Sequence, residues 1–146
     1  MTTYQFIELD NHEAWRQAFP VMSELRPHLH DEAAFITQLL RQQQQGYCLL
    51  AAREGERVVG LAGYRIQENF IYGRFLYVDD LVVTRHLRSQ GCGQQLIQQL
   101  RDKARAQHCA RLVLDTGLGN ALGQRFYFRQ GLLAKGMHFC QVLAEQ

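Results

Sequence analysis

The spacing of apolar residues along the chain switches between helical and extended periods, and each switch marks an element. Tyr4 to Leu9 alternates loosely and predicts a first strand. From His12 to Leu25, Ala14, Trp15, Ala18, Phe19 and Met22 recur at helical spacing until Arg26-Pro27 breaks the pattern. Asp31 suits the N-cap of a second helix carrying Phe35, Ile36, Leu39 and Leu40. That helix runs through the polar stretch Gln42–Gln45 and closes at Gly46. The period then shortens. Tyr47 to Arg53, Arg57 to Ile66 and Phe75 to Thr84 read as three strands of an antiparallel meander, with turn signals at Glu54-Gly55 and Glu68-Asn69. Gln94 to Gln107 returns to helical spacing through Leu96, Ile97, Leu100 and Ala104. Arg111 to Leu114 predicts a short strand, Ala121 to Gln130 a short helix ending at Gly131, and Met137 to Leu143 a last strand.

No repeat or linker interrupts this order. It implies one α/β (α+β) domain over residues 1–146, with a mixed central sheet. Hydrophobic residues at 47% and charged residues at 21% are ordinary globular usage and argue against disorder. No apolar run approaches the roughly 20 residues of a membrane span, and the N-terminus lacks a signal-peptide pattern. A net charge of +2 gives no electrostatic case for nucleic acid. The expected location is therefore the cytoplasm, with no membrane and no nucleic-acid partner. Cys48, Cys92, Cys109 and Cys140 form no CxxC pair and are expected as reduced thiols. His28 and His30 are the closest histidine pair and lack a third ligand nearby, so no metal is expected.

Chemistry concentrates after the third meander strand. Leu81-Val82-Val83 leads into Arg88-Ser89-Gln90-Gly91-Cys92-Gly93, and a helix follows from Gln94. Glycines let a ligand approach the backbone, and the first N–H groups of a helix have no internal partner. With Arg88 adding positive charge, the loop suits a diphosphate. Gln94-Gln95 after Gly93 excludes a Walker P-loop, and Leu96 stands where a dinucleotide fingerprint needs a third glycine.

Arg88-Ser89-Gln90-Gly91-Cys92-Gly93 resembles the Arg/Gln-x-x-Gly-x-Gly/Ala motif of the GNAT superfamily of N-acetyltransferases. Asn120 followed by Phe126-Tyr127-Phe128-Arg129-Gln130-Gly131-Leu132 resembles that superfamily's Asn…Phe-Tyr-x-x-x-Gly-Phe segment. The likeness covers about Val58 to Leu143 and the N-terminal helices by order only. It departs from the family pattern at Arg85, Gln90, Cys92 and Leu132.

The resemblance implies a sheet of roughly six to seven strands flanked by about four helices. It implies acetyl-CoA as co-substrate, a primary amine of a small molecule or protein as acceptor, and direct transfer. Pantetheine would pair with the backbone of Leu81, Val82 and Val83, although a plain core strand would read the same. Arg88, Ser89, Gln90, Gly91, Cys92, Gly93 and Gln94 would hold the diphosphate. Asn120 would touch cofactor, cap its helix, or both. The resemblance puts a base or ammonium binder at Asp79, while Asp80 is read as a structural hydrogen-bonder. Strand alternation predicts that these two face opposite ways. Tyr127 would protonate the departing thiolate and bind cofactor, against the alternative of a core aromatic. Dimers are common among look-alikes, so the resemblance allows a homodimer and leaves the oligomeric state open. The rival from another class is a non-catalytic acetyl-CoA sensor or docking module, which would keep Arg88, Gly91 and Gly93 and tolerate loss of Asp79 and Tyr127.

Overall fold

A computed structural model describes residues 3–144. It divides into two compact units, Met1–Leu114 and Asp115–Gln146.

The first unit is built on one sheet of five strands in the order β1-β2-β3-β4-β5. These are β1 (Gln5–Glu8), β2 (Cys48–Glu54), β3 (Arg57–Asn69), β4 (Gly73–Val83) and β5 (Arg111–Leu114). β1 to β4 are antiparallel neighbours, as the meander pattern predicts, and β5 joins β4 in parallel. A parallel partner needs a crossover, and α3 (Cys92–Ala106) provides it. α1 (His12–Leu25) and α2 (Glu32–Gln44) lie between β1 and β2 in the chain.

Local chemistry sets the helix ends. The Asn11 side chain accepts from the Ala14 N–H at 2.9 Å, and the Asp31 side chain from the Ala33 N–H at 3.0 Å. Gly46, at φ 91°, closes α2 in a conformation that a side chain disfavours.

The sheet is apolar on both faces. Trp15, Ala18, Val21 and Met22 of α1 pack with Phe35, Ile36 and Leu39 of α2 against Leu49, Leu61 and Val82. On the other face Cys92, Leu96, Leu100 and Ala104 of α3 pack on Leu50, Val59, Ala62, Leu76 and Val78. Leu96 and Leu100 are fully buried, which stabilises by about 1.5–3 kcal/mol each. Gly60 permits this close approach, since a Cβ there would sit 3.1 Å from Leu96 Cδ1 and 3.2 Å from Cys92 Sγ.

The second unit contains α4 (Ala121–Arg129), capped by Asn120, whose side chain accepts from the Gly123 N–H at 3.0 Å. The sheet has fewer strands than expected. Met137–Leu143 alternates in sequence but forms no strand. α4 is the one regular element described in its unit, and a strand without a partner strand leaves its backbone groups unpaired. No helix among the described residues is long and apolar enough to cross a membrane.

Candidate active site

β4 carries both halves of the site, and an irregularity in it decides where its acids point. Opposite Gly63 and Tyr64 of β3 stand Asp80 and Val78, so Asp79 is an extra residue, a β-bulge. The alternation slips by one there. Leu76 and Val78 belong to the α3 face together with Leu81 and Val83, while Val82 belongs to the α1/α2 face. Strict alternation would send Asp79 and Asp80 to opposite faces. The bulge instead brings both to one pocket on the α1/α2 side.

That pocket has a volume of ≈ 330 Å³ and is lined by Arg26, Gln42, Gln45, Tyr47, Arg65, Asp79 and Asp80. Arg26, just past the end of α1, donates from Nε and Nη2 to Asp80 Oδ1 at 3.0 and 2.9 Å. Its Nη2 also donates to the Asp79 carbonyl oxygen at 3.0 Å, a group that the bulge takes out of the ladder. Tyr47 Oη donates to Asp80 Oδ2 at 2.7 Å. Arg65 donates from Nε and Nη2 to Asp79 Oδ2 and Oδ1 at 2.9 and 2.8 Å, a bidentate pair. Burial, and then the neighbouring Asp80 carboxylate, push the Tyr47 hydroxyl well above its ordinary pKa. The hydrogen bond to Asp79 raises the Arg65 guanidinium. Gly63 makes room for this network, because a Cβ there would run into the Tyr47 ring and hydroxyl.

The other half lies at the far end of β4. The parallel ladder with β5 spans Phe75–Val78 and stops, so Asp80–Val83 pair with β3 alone in the sheet. The Thr84 N–H donates to the Val59 carbonyl of β3 at 2.8 Å. Successive strand N–H groups point to opposite edges, so the Val83 N–H faces away from β3. Glu24 of α1 fixes the end of the strand. It accepts from Thr84 Oγ1 at 2.7 Å and from the Arg85 N–H at 3.0 Å.

A short 3₁₀ turn, Arg85–Leu87, leads to the glycine loop. Arg88, Ser89 and Gln90 are exposed, and Ser89 takes φ 66°. Gly91 is the N-cap of α3 at φ 87°, with no side-chain cap and no acidic residue in the first turn. The helix begins at Cys92, two residues earlier than the spacing from Gln94 predicts, because Cys92 supplies a buried apolar contact. Burial raises the Cys92 thiol to about 11, which disfavours the thiolate that a nucleophile needs. Cys92, Gly93 and Gln94 thus make the first turn of the helix.

Asn120 and Tyr127 lie in the second unit. Asn120 takes the capping role and also donates from Nδ2 to Thr116 Oγ1 at 3.1 Å. Tyr127 is half-buried on α4, where its ring packs edge-on against Phe126.

Four polar or aromatic residues, Tyr64, Arg65, Tyr72 and Arg74, flank the Glu68-Asn69 turn; Arg65 lines the pocket and the other three serve the sheet. Tyr64 bonds Glu8, Tyr72 packs on Phe75, and Arg74 Nε donates to the Gln107 carbonyl at 2.6 Å. Arg26, Gln42, Gln45 and Tyr47 are pocket residues that sequence reasoning missed. Gln42 and Gln45 carried a signal as two polar residues one turn apart at a helix end. Arg26 and Tyr47 carried none.

The profile of the acetyltransferase (GNAT) family matches residues 9–132. The chain belongs to the GNAT acetyltransferase family. The expected N-acetyltransferase activity stands on this match. The uncharacterized N-acetyltransferase YhdJ of Bacillus subtilis (strain 168) is 32% identical over 120 residues, covering 82% of this chain and 84% of that protein. The ribosomal-protein-alanine N-acetyltransferase from Brucella melitensis biovar Abortus 2308 superposes with a TM-score of 0.83 at 20% identity, over 97% of this chain and 100% of that one. The aminoglycoside N-acetyltransferase AAC(6')-Iy in complex with CoA gives 0.82 at 15% identity, over 98% of both chains. At such identities the two structures establish the GNAT fold and no substrate.

Proposed function

We propose that this chain transfers an acetyl group from acetyl-CoA directly to a primary amine bound in the Asp79–Asp80 pocket. The observation that carries this reading is the continuity of Asp79 to Gln94. One segment runs from a pocket acid, along a strand edge that β5 leaves after Val78, to a helix start with no side-chain cap. The residues fit the donor. Bare amide hydrogens at Cys92, Gly93 and Gln94, with Arg88 before them, suit a diphosphate. Leu81, Val82 and Val83 offer strand backbone to an added extended chain. The family match runs across both units, which supports reading 1–146 as one catalytic domain.

Acetyl-CoA supplies the acyl group as a thioester. Asp79 holds the acceptor's ammonium and takes its proton, directly or through water, so that the nitrogen lone pair can attack. Asp80, tied to Arg26 and Tyr47, keeps the pocket's shape. The Val83 N–H donates to the acyl oxygen as charge grows there. As the new C–N bond forms and the C–S bond breaks, the nitrogen sheds its second proton to solvent, the Tyr127 hydroxyl gives its proton to sulfur, and the tyrosinate regains one from solvent. A phenol of pKa about 10 is protonated at neutral pH and can donate.

The test is thiol release from acetyl-CoA across an amine panel, with CoA affinity measured separately. Tyr127→Phe is expected to cut kcat by about a hundredfold with CoA affinity unchanged. Undiminished turnover would remove Tyr127 from the mechanism. Thiol release with no amine at all would sink the transferase reading.

A further inference from the structure

The charge of the acceptor pocket points to a narrower class of amine. Its lining holds two carboxylates, Asp79 and Asp80, and two guanidinium groups, Arg26 and Arg65; the rest, Gln42, Gln45 and Tyr47, are neutral. The pocket is therefore lined by equal numbers of the two charges. Each acid is already matched by an arginine at hydrogen-bond distance. A polycation entering it would find no net negative field, and each further ammonium would lose water without a free counter-charge.

Both signs nevertheless remain available at short range. Arg26 and Arg65 spend Nε and Nη2 on the pocket's own oxygens, which leaves the two N–H donors of each Nη1 for another acceptor. Asp79 takes one hydrogen bond on each oxygen from Arg65, and a carboxylate can accept about four. The arginine side chains are 43% and 30% exposed, and that of Asp79 is 23% exposed. A volume of ≈ 330 Å³ lies at the small end of ligand pockets, which run from about 300 to 1,000 Å³.

We propose that the acceptor is a small zwitterion, a free amino acid whose ammonium meets Asp79 and whose carboxylate meets Arg26 or Arg65. This rests on the pocket being the amine's site. It makes Arg26 and Arg65 specificity residues as well as partners of the two acids. An amine lacking the carboxylate leaves a guanidinium face unmatched, and a polyamine sets a second ammonium against it.

The experiment compares kcat/KM, by thiol release, for leucine, phenylalanine and serine with their amides, and with spermidine and kanamycin. The wild-type protein is expected to prefer each acid over its amide by about tenfold or more, the effect of one charge-assisted hydrogen bond. Arg26→Met and Arg65→Met are then measured on the same pairs. The acid-to-amide ratio is expected to fall towards one in whichever variant removes the partnering guanidinium. A ratio is unaffected by any loss of folded protein, and the wild-type comparison needs no variant. Turnover of amides, spermidine or kanamycin equal to or above that of the acids would overturn the zwitterion while keeping the transferase. A preference unchanged in both variants would overturn the arginine assignment. No turnover of any amine would remove the reading beneath the proposal, and the proposal with it.

Discussion

The two ends of the Asp79–Gln94 segment are built by opposite means. At the pocket end every charge comes from a side chain and is matched by another side chain, brought from the residue after α1 and from β3, with Tyr47 reaching in from just before β2. At the helix end the helix start carries no side-chain cap and no acid, so its polarity belongs to the backbone. A backbone site depends on φ, ψ and the lack of a Cβ. A side-chain site depends on which distant residues arrive together. The first tolerates most substitutions that keep the turn. The second fails when any one partner is displaced.

That contrast can be broken at three positions. Gly63→Ala attacks the pocket through its floor. The new Cβ would drive the buried Tyr47 ring out of place and cost the bond to Asp80. Overpacking and a lost hydrogen bond together predict a loss of about 3–5 kcal/mol in denaturant unfolding. CoA affinity of the folded fraction should stay as it was, and a parallel loss of CoA binding would mean that the two ends are not independent.

Gly91→Ala attacks the other end. At φ 87° a side chain costs about 1–2 kcal/mol even though open space surrounds the position. Calorimetric titration should find CoA bound about tenfold more weakly, as for one hydrogen bond lost. Unaltered CoA affinity would count against the diphosphate site.

Tyr47→Phe is the mildest. It should cost about 1 kcal/mol at neutral pH. The Tyr47 phenol titrates well above the 10.0 of a free one, so the folded state keeps a proton that the unfolded chain releases. The resulting stability is complete below that pH and is lost above it. The variant should lose less as pH rises past 10.0, by up to about 1.4 kcal/mol per pH unit. Stability curves of equal alkaline slope would contradict the buried hydrogen bond.

The same contrast explains what was legible in the sequence. The strand-glycine-helix segment sits within a few residues of itself, so Arg88 to Gln94 could be read directly, with the helix start misplaced by two. Helix ends were legible where a single side chain does the capping, as at Asp31 and Asn120. The pocket was not. Arg26 lies 54 residues from Asp80, and Tyr47 lies 33 residues from it. No local period records such a meeting. The parity of Asp79 and Asp80 was misread for a related reason, since a bulge leaves no mark in an apolar pattern that looks regular on either side. Met137–Leu143 alternates well, but alternation reports only which residues could share a face, not whether a neighbouring strand exists.

The bulge carries one more consequence. Shortening the chain by Asp79 alone would still set Val78 against Tyr64 and Asp80 against Gly63, with every later residue keeping its side of the sheet. The ladder thus has no need of this position. What it would forfeit is an acid standing where the sheet requires nothing, together with the carbonyl that Arg26 holds, so a single-codon deletion there would strip the pocket of its acid while leaving the strand pairing in register.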